Sequence, residues 1–337
     1  MSDNNRFARQ ERLPQVGLDG QKLLQGATVA IIGVGALGCT SAEWLCRAGV
    51  GKLILIDRDI VNQSNLQRQC LFDERDAESR SPKAVAAQQR LAKINSECEI
   101  EAHCVDLGAH NIHEICSAAD VIVDGCDNFF TRYLINDFSV KHKIAYVYAG
   151  AVATYGMLAL LDGSNACLRC VFPEPAPIDD TPTCSSSGIL GPTIGVIGSA
   201  AAALAIQSIC NAELPQKFVS IEMWPFNSQS INAAKNKDCP CCAKRQLEWL
   251  DQQRCAPLIT QNCNQTEVHF SGNGTIDLMQ LGDKFKGALN DLSYSNFCLQ
   301  FTDNNYEIFV FSDRSIHVYN CSSIADAKAV IANTVGL

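Results

Sequence analysis

Residues 27–57 read ATVAIIGVGALGCTSAEWLCRAGVGKLILID. ATVAIIG (27–33) is a short β-branched run that ends in glycine. GVGALGCTSAEWLCRAG (33–49) opens glycine-rich and continues with helix formers, and KLILID (52–57) is a second apolar strand. Gly33, Gly35 and Gly38 match G-x-G-x-x-G between a strand and a helix. Such glycines permit a tight turn and a close backbone approach to phosphate at the positive end of a helix. Asp57 ends the second strand, where a carboxylate can accept hydrogen bonds from both ribose hydroxyls. Taken alone, the pattern also describes a tight turn in any α/β sheet.

Working outward, PKAVAAQQRLAKIN (82–95) has helical periodicity, with Pro82 at its start. ADVIVDGCD (119–127) and KIAYVYAG (143–150) are buried-strand candidates. Strands alternating with helices predict a Rossmann-like, mostly parallel α/β sheet with right-handed crossovers. From 151 to 187 the pattern loosens, and the proline-rich stretch 171–188 reads as a long loop. The apolar run 188–210 is long enough to span a bilayer, but Pro192, Gly195, Gly198 and Gln207 favour a buried helix. A strand is expected near 218–224 and a linker over 246–265. The expected division is a large α/β domain over 1–250 and a small α+β domain over 266–337. In the second, YEIFVFSDRSIHVYN (306–320) reads as a hairpin turning at SDRS.

The 337 residues are 47% hydrophobic and 19% charged, with a net charge of −9. That acidic balance argues against a sequence-independent nucleic-acid binder. MSDNNRFARQ at the start lacks an apolar core, so no signal peptide is expected. Eighteen cysteines without one point to a reducing cytoplasm, where paired cysteines suggest metal or catalysis.

Beyond Asp57 the chain departs from a hydride-transfer pattern. Asn65, Arg68 and Gln69 crowd into five positions, and Lys83 and Asp127 follow. Arg68 offers a planar fork suited to phosphate oxygens, and Asn65 and Gln69 add neutral hydrogen bonds. Lys83 can place a point charge on a phosphate, and Asp127 can hold Mg²⁺ among phosphate oxygens. Together they suit a triphosphate better than a nicotinamide, although each singly also reads as a surface or capping residue. CLRC supplies Cys167 and Cys170, and CPCC supplies Cys239 and Cys242 with Cys241 between. Two C-x-x-C pairs can give tetrahedral zinc four thiolates, against two unrelated turns or a redox pair.

RFARQ, GVGALG, NLQRQ, PKA, CDN followed by TR, two cysteine pairs and GILGPTIGVIGS occur in one order over roughly residues 6–245. In this the chain resembles the ThiF/MoeB family, bacterial relatives of ubiquitin-activating enzymes. The resemblance implies ATP–Mg²⁺ binding and adenylation of the C-terminal glycine of a ubiquitin-like sulfur carrier, ThiS- or MoaD-type. A thiocarboxylate for thiamine or molybdopterin synthesis would follow, with sulfur from a donor such as a cysteine desulfurase. It matches Gly33, Gly35, Gly38, Asp57, Asn65, Arg68, Gln69, Lys83 and Asp127 to nucleotide-site positions. It matches Arg9 to an arginine lent across a homodimer interface, and the four paired cysteines to structural zinc. It also places Cys184 where some members carry a reactive thiol. Ala36 departs from the glycine of many members and is tolerable where φ is negative. No membrane association is expected. Other carboxylate-activating branches, an NAD-dependent oxidoreductase and a non-catalytic carrier-binding module are the alternatives. Cys298 and Cys321 lack the glycine and basic surroundings of a rhodanese loop, so no rhodanese activity is expected.

Overall fold

In a computed structural model, residues 5–161, 166–175, 187–211, 217–261, 267–272 and 274–335 are described. The chain divides into two compact units. The first comprises residues 1–102 and 107–255, the second residues 103–106 and 256–337.

In the first unit, α1 (Gly17–Gly26) leads into β1 (Thr28–Ile32), α2 (Ala36–Ala48) and β2 (Lys52–Ile56). β1 and β2 pair in parallel from Thr28 opposite Lys52 to Ile32 opposite Ile56, so the helix is their crossover. α2 ends because Gly49 takes φ 85°, and its N–H turns back to the carbonyls of Leu45 and Cys46. Short α3 (Glu74–Glu78) precedes α4 (Lys83–Ile94), which starts behind Pro82, then β3 (Glu99–His103). After α5 (Ile112–Cys116) come β4 (Val121–Asp124), α6 (Phe129–His142) and β5 (Ala145–Val152). The Asn128 side chain caps α6 by accepting the Thr131 N–H. β6 (Tyr155–Leu161), α7 (Leu168–Val171), α8 (Gly191–Ile209), β7 (Lys217–Met223) and β8 (Phe226–Asn232) complete the unit.

The sheet order is β3-β2-β1-β4-β5-β6-β7-β8. The pairs β1–β2, β1–β4 and β4–β5 are parallel, whereas β5–β6, β6–β7 and β7–β8 are antiparallel. The antiparallel half departs from the expected pattern. β6 lies where the sequence loosens, and β8 is exposed along its whole length. The apolar run 188–210 is a helix long and apolar enough to cross a membrane by length and composition. It packs instead against α2, β5 and β6, burying Ile194 and Ile197, each worth about 1.5–3 kcal/mol of transfer free energy. Ser41 Oγ donates to the carbonyl of Gly198 at 3.0 Å, and a Cβ on Gly198 would fall 2.6 Å from Thr40 Cβ. Residues 246–254 are more than a linker, because Leu247 and Trp249 are buried and the Trp249 N–H reaches Asp137.

The second unit is a six-stranded antiparallel sheet in the order β11-β12-β13-β14-β10-β9. Its strands are β9 (Ile259–Gln261), β10 (Glu267–Phe270), β11 (Asn290–Tyr294), β12 (Cys298–Asp303), β13 (Tyr306–Phe311) and β14 (Ile316–Tyr319). Val268, Leu299, Phe301, Ile308, Val310 and Val318 form a core with Leu278 of α9 (Leu278–Phe285) and Ile331 of α10 (Ile324–Thr334). β13 and β14 form the hairpin read from the sequence. Cys298 and Cys321 are both buried, and burial pushes the Cys298 thiol up.

Candidate active site

The turn after β1 is shaped by close backbone packing. Gly33 has φ 85°, a left-handed conformation that favours glycine, and a Cβ there would lie 2.7 Å from the carbonyl of Gly125. A Cβ on Gly38 would lie 1.9 Å from Gly33 O. Gly35 has nothing closer than Gln69 Nε2 at 4.0 Å, so the turn tolerates a side chain there more readily. Ala36 begins α2 and is not among the positive-φ residues, in keeping with the expected tolerance. The approach of Gly33 to Gly125 also sets the loop after β4, which carries Asp127, against the glycine turn.

Asp57 closes this turn from the end of β2. Its carboxylate accepts the N–H of Val34 at 2.7 Å and of Asp59 at 2.7 Å. Burial raises its pKa to about 6, with Lys83 pulling it down and Asp59 pushing it up. Lys83, at the first position of α4, is buried, and its Nζ lies 2.9 Å from Asp59 Oδ2. Burial opposes its charge, but Asp59, Asp57 and Asp127 outweigh that and raise its pKa.

NLQRQ forms a single 3-10 turn and its continuation. Asn62 and Asn65 cap one another, with Asn65 Oδ1 accepting the Asn62 N–H at 3.0 Å. Asn65 is thereby committed to holding the turn. Arg68 Nη1 donates to the carbonyl of Ser64 at 2.8 Å, and the side chain is half-buried. Gln69 is buried beside Gly35, and its Oε1 has no hydrogen-bond partner in the structure. Asp127 is exposed.

Two residues not singled out from the sequence hold the Asp127 loop. Asp124, fully buried at the end of β4, accepts the Tyr146 hydroxyl at 2.7 Å and the Cys126 N–H at 2.9 Å. Arg132 Nε lies 3.4 Å from its Oδ2, and Nη2 donates to the carbonyls of Cys126 at 2.6 Å and Ala149 at 3.1 Å. The guanidinium also lies 5.1 Å from the Tyr148 ring centroid. The only trace in sequence is the TR that follows CDN. Asp59, which holds Lys83, is likewise visible in the sequence only as the second acid of DRD.

Arg9 is exposed on an arm tied to the far end of α2. Phe7 is buried against Gly49, and Gln10 Nε2 donates to Ala48 O at 2.9 Å. The glycine turn is at the other end of this 13-residue helix, roughly 20 Å away by helical rise. Within its own chain Arg9 is therefore not gathered with the residues of the glycine turn. Cys184 lies outside the described residues.

The two C-x-x-C pairs meet. The Sγ atoms of Cys167, Cys170, Cys239 and Cys242 all lie within 4.8 Å of one another. Cys167 and Cys239 are 3.6 Å apart and Cys170 and Cys242 are 3.4 Å apart. Four thiolates about 2.3 Å from one tetrahedral ion are spaced roughly 3.8 Å apart, so the cluster suits such an ion. Cys241 is not one of the four. Its Sγ accepts from Asn136 Nδ2 at 3.3 Å, with Asp137 beside it.

Residues 7–241 match the ThiF family. The chain belongs to the ThiF family. Among ThiF relatives, the Bacillus subtilis protein named sulfur carrier protein ThiS adenylyltransferase is 33% identical, over 98% of this chain and 99% of its own. A Thermus thermophilus sulfur carrier protein adenylyltransferase is 35% identical, over 74% of this chain and 95% of its own. The structure of E. coli MccB with ATP shares the fold at TM-score 0.61 and 24% identity, covering 71% of this chain and 75% of that one.

Proposed function

We propose that this ThiF protein is an ATP-dependent adenylyltransferase whose substrate is the C-terminal carboxylate of a ubiquitin-like sulfur carrier. The observation that carries the chemistry is the cluster itself. A buried, charged Lys83 and the ribose acid Asp57 border a turn shaped for backbone approach to phosphate, beside the Asp127 loop. The full-length similarity to a ThiS adenylyltransferase supports the carrier as substrate.

In this reading the carrier carboxylate attacks the α-phosphorus of ATP, and pyrophosphate leaves. Negative charge grows on the leaving oxygens, so aligned donors lower the barrier more than a protein nucleophile would. Asp57 holds the ribose, the glycine turn holds the phosphates, and Lys83 and Arg68 face the developing charge. Asp127 is the residue that would hold Mg²⁺, which supplies further charge neutralisation when bound. Arg9, about a helix length from its own turn, completes the site of a second copy, so the working unit is a homodimer. Cys167, Cys170, Cys239 and Cys242 hold a structural zinc. Four thiolates fill its coordination and leave no open position for chemistry. Cys184 is a candidate acceptor for the activated carrier, and a cysteine desulfurase-type donor supplies sulfur. The abundance of free thiols suits a cytoplasmic location.

The antiparallel half of the sheet offers the carrier a docking edge. β8 is uncharged and exposed along its length, and Trp224 and Phe226 at the β7–β8 turn are 75% and 73% exposed. ATP–pyrophosphate exchange, run with a ThiS-type and a MoaD-type carrier separately, tests the reading. Exchange with one carrier and not without it supports the assignment. Absence of exchange with both, under saturating MgATP, refutes it.

A further inference from the structure

We infer that Asp59 is a positioning residue for Lys83, linking the acid that holds ribose to the lysine that faces phosphate. Three contacts converge on Asp59. Its N–H donates to Asp57 Oδ1 at 2.7 Å. Its carbonyl accepts the Lys83 N–H at 2.9 Å. Its carboxylate accepts Lys83 Nζ at 2.9 Å. Asp59 thus grips Lys83 at both the backbone and the ammonium, and it is itself fixed by the nucleotide acid.

The surrounding chain reinforces the grip. Ile60 and Pro82 form an antiparallel bridge, and the Val61 N–H reaches the Ser81 carbonyl at 2.8 Å. The segments 59–61 and 81–83 are therefore stitched side by side. A lysine stem carries about 2 kcal/mol of rotamer entropy when free. Holding it in one rotamer before ATP arrives removes that cost from binding and from the chemical step. An ammonium has three N–H groups, so Lys83 can keep Asp59 and still donate to phosphate. Asp59 thereby acts through Lys83 without touching the nucleotide.

This inference rests on the adenylation reading and is tested by kinetics that separate the two. In ATP–pyrophosphate exchange, Asp59→Asn is expected to lower kcat about tenfold, the scale of one charge-assisted hydrogen bond, and to raise KM for ATP about threefold. Asp59→Glu restores the charge and is expected to recover part of the loss. In a Lys83→Ala background, Asp59→Asn is expected to cost less than about twofold, because residues that act as a unit are non-additive. A residue that merely shaped the loop would cost the same in both backgrounds. The inference is overturned if Asp59→Asn keeps more than half of wild-type kcat, or if its loss is undiminished without Lys83. Should wild-type protein show no exchange with either carrier, the adenylation reading fails. Calorimetry with MgATP then tests Asp59 by itself: Asp59→Asn must weaken binding in the native background and not beside Lys83→Ala.

Discussion

Replacing Arg132 with methionine probes how the loop that carries Asp127 is held. Methionine keeps most of the apolar stem, so the loss is concentrated in the head group. The carbonyls of Cys126 and Ala149 each lose a donor, now at 2.6 and 3.1 Å. Leaving a buried polar group unsatisfied costs about 1–3 kcal/mol. Asp124, fully buried, loses the cation 3.4 Å away and keeps the Tyr146 hydroxyl and the N–H and thiol of Cys126. Removing one member of a buried pair costs about 3–5 kcal/mol, which agrees with the sum of these losses. In a unit of this size each kcal/mol lowers Tm by about 2–4 °C, so a fall of roughly 6–20 °C is expected.

The loss should depend on pH. Burial already raises the Asp124 pKa above its ordinary 3.8, with Arg132 the chief opposing influence. Without Arg132 the folded-state pKa rises further. A carboxyl raised in the folded state loses stability as pH climbs from its unfolded to its folded pKa. Arg132→Met should therefore be more destabilised at pH 7 than at pH 5, read by urea titration at both. Asp124→Leu/Arg132→Met should regain much of the stability, because an apolar pair avoids the desolvation of two charges. Its exchange activity should stay low, because Cys126, next to Asp127, has lost its tether. A loss below about 1 kcal/mol for Arg132→Met would refute the reasoning.

Gly38→Ala should destabilise by about 1–3 kcal/mol and weaken ATP binding, measured by urea titration and calorimetry, while Gly35→Ala should be milder. If Asp57 holds the ribose, its ionised carboxylate accepts the hydroxyls more strongly than the protonated acid, and burial raises its pKa to about 6. ATP affinity should therefore fall as pH drops through that value, and Asp57→Asn should flatten the profile. Metal analysis of chelator-free protein should find one zinc per chain, and Cys170→Ser or Cys239→Ser should lower both metal content and Tm; metal-free wild type with an unchanged melt would contradict this. Arg9→Ala and Asp127→Ala should each be nearly inactive, yet their mixture after subunit exchange should recover about a quarter of wild-type activity if each heterodimer has one intact site.

The sequence by itself determined the strand–turn–helix frame of the first unit. β1, α2 and β2 are consecutive, so their periodicity and glycine spacing report directly on local backbone geometry. Asp57 and Asp127 were legible because they follow parallel strands, at the sheet edge where such folds bind ligands. The cysteine pairs were legible as pairs because C-x-x-C is a local spacing. Tertiary structure decided the rest. β8, FNSQSIN, has little strand propensity and is a strand because β7 offers it a ladder of seven partners. The joining of the cysteine pairs links sites 72 positions apart. Asp59 grips Lys83 across 24 positions, and Arg132 reaches Asp124 only where a helix turns back over its strand. The position of Arg9, at the opposite end of α2 from its own chain's glycine turn, is decided by the packing of Phe7 against Gly49. Such contacts depend on which distant segments are brought within a few ångströms, and that distance is set by the order of strands in the sheet and its packed helices rather than by any local run of residues.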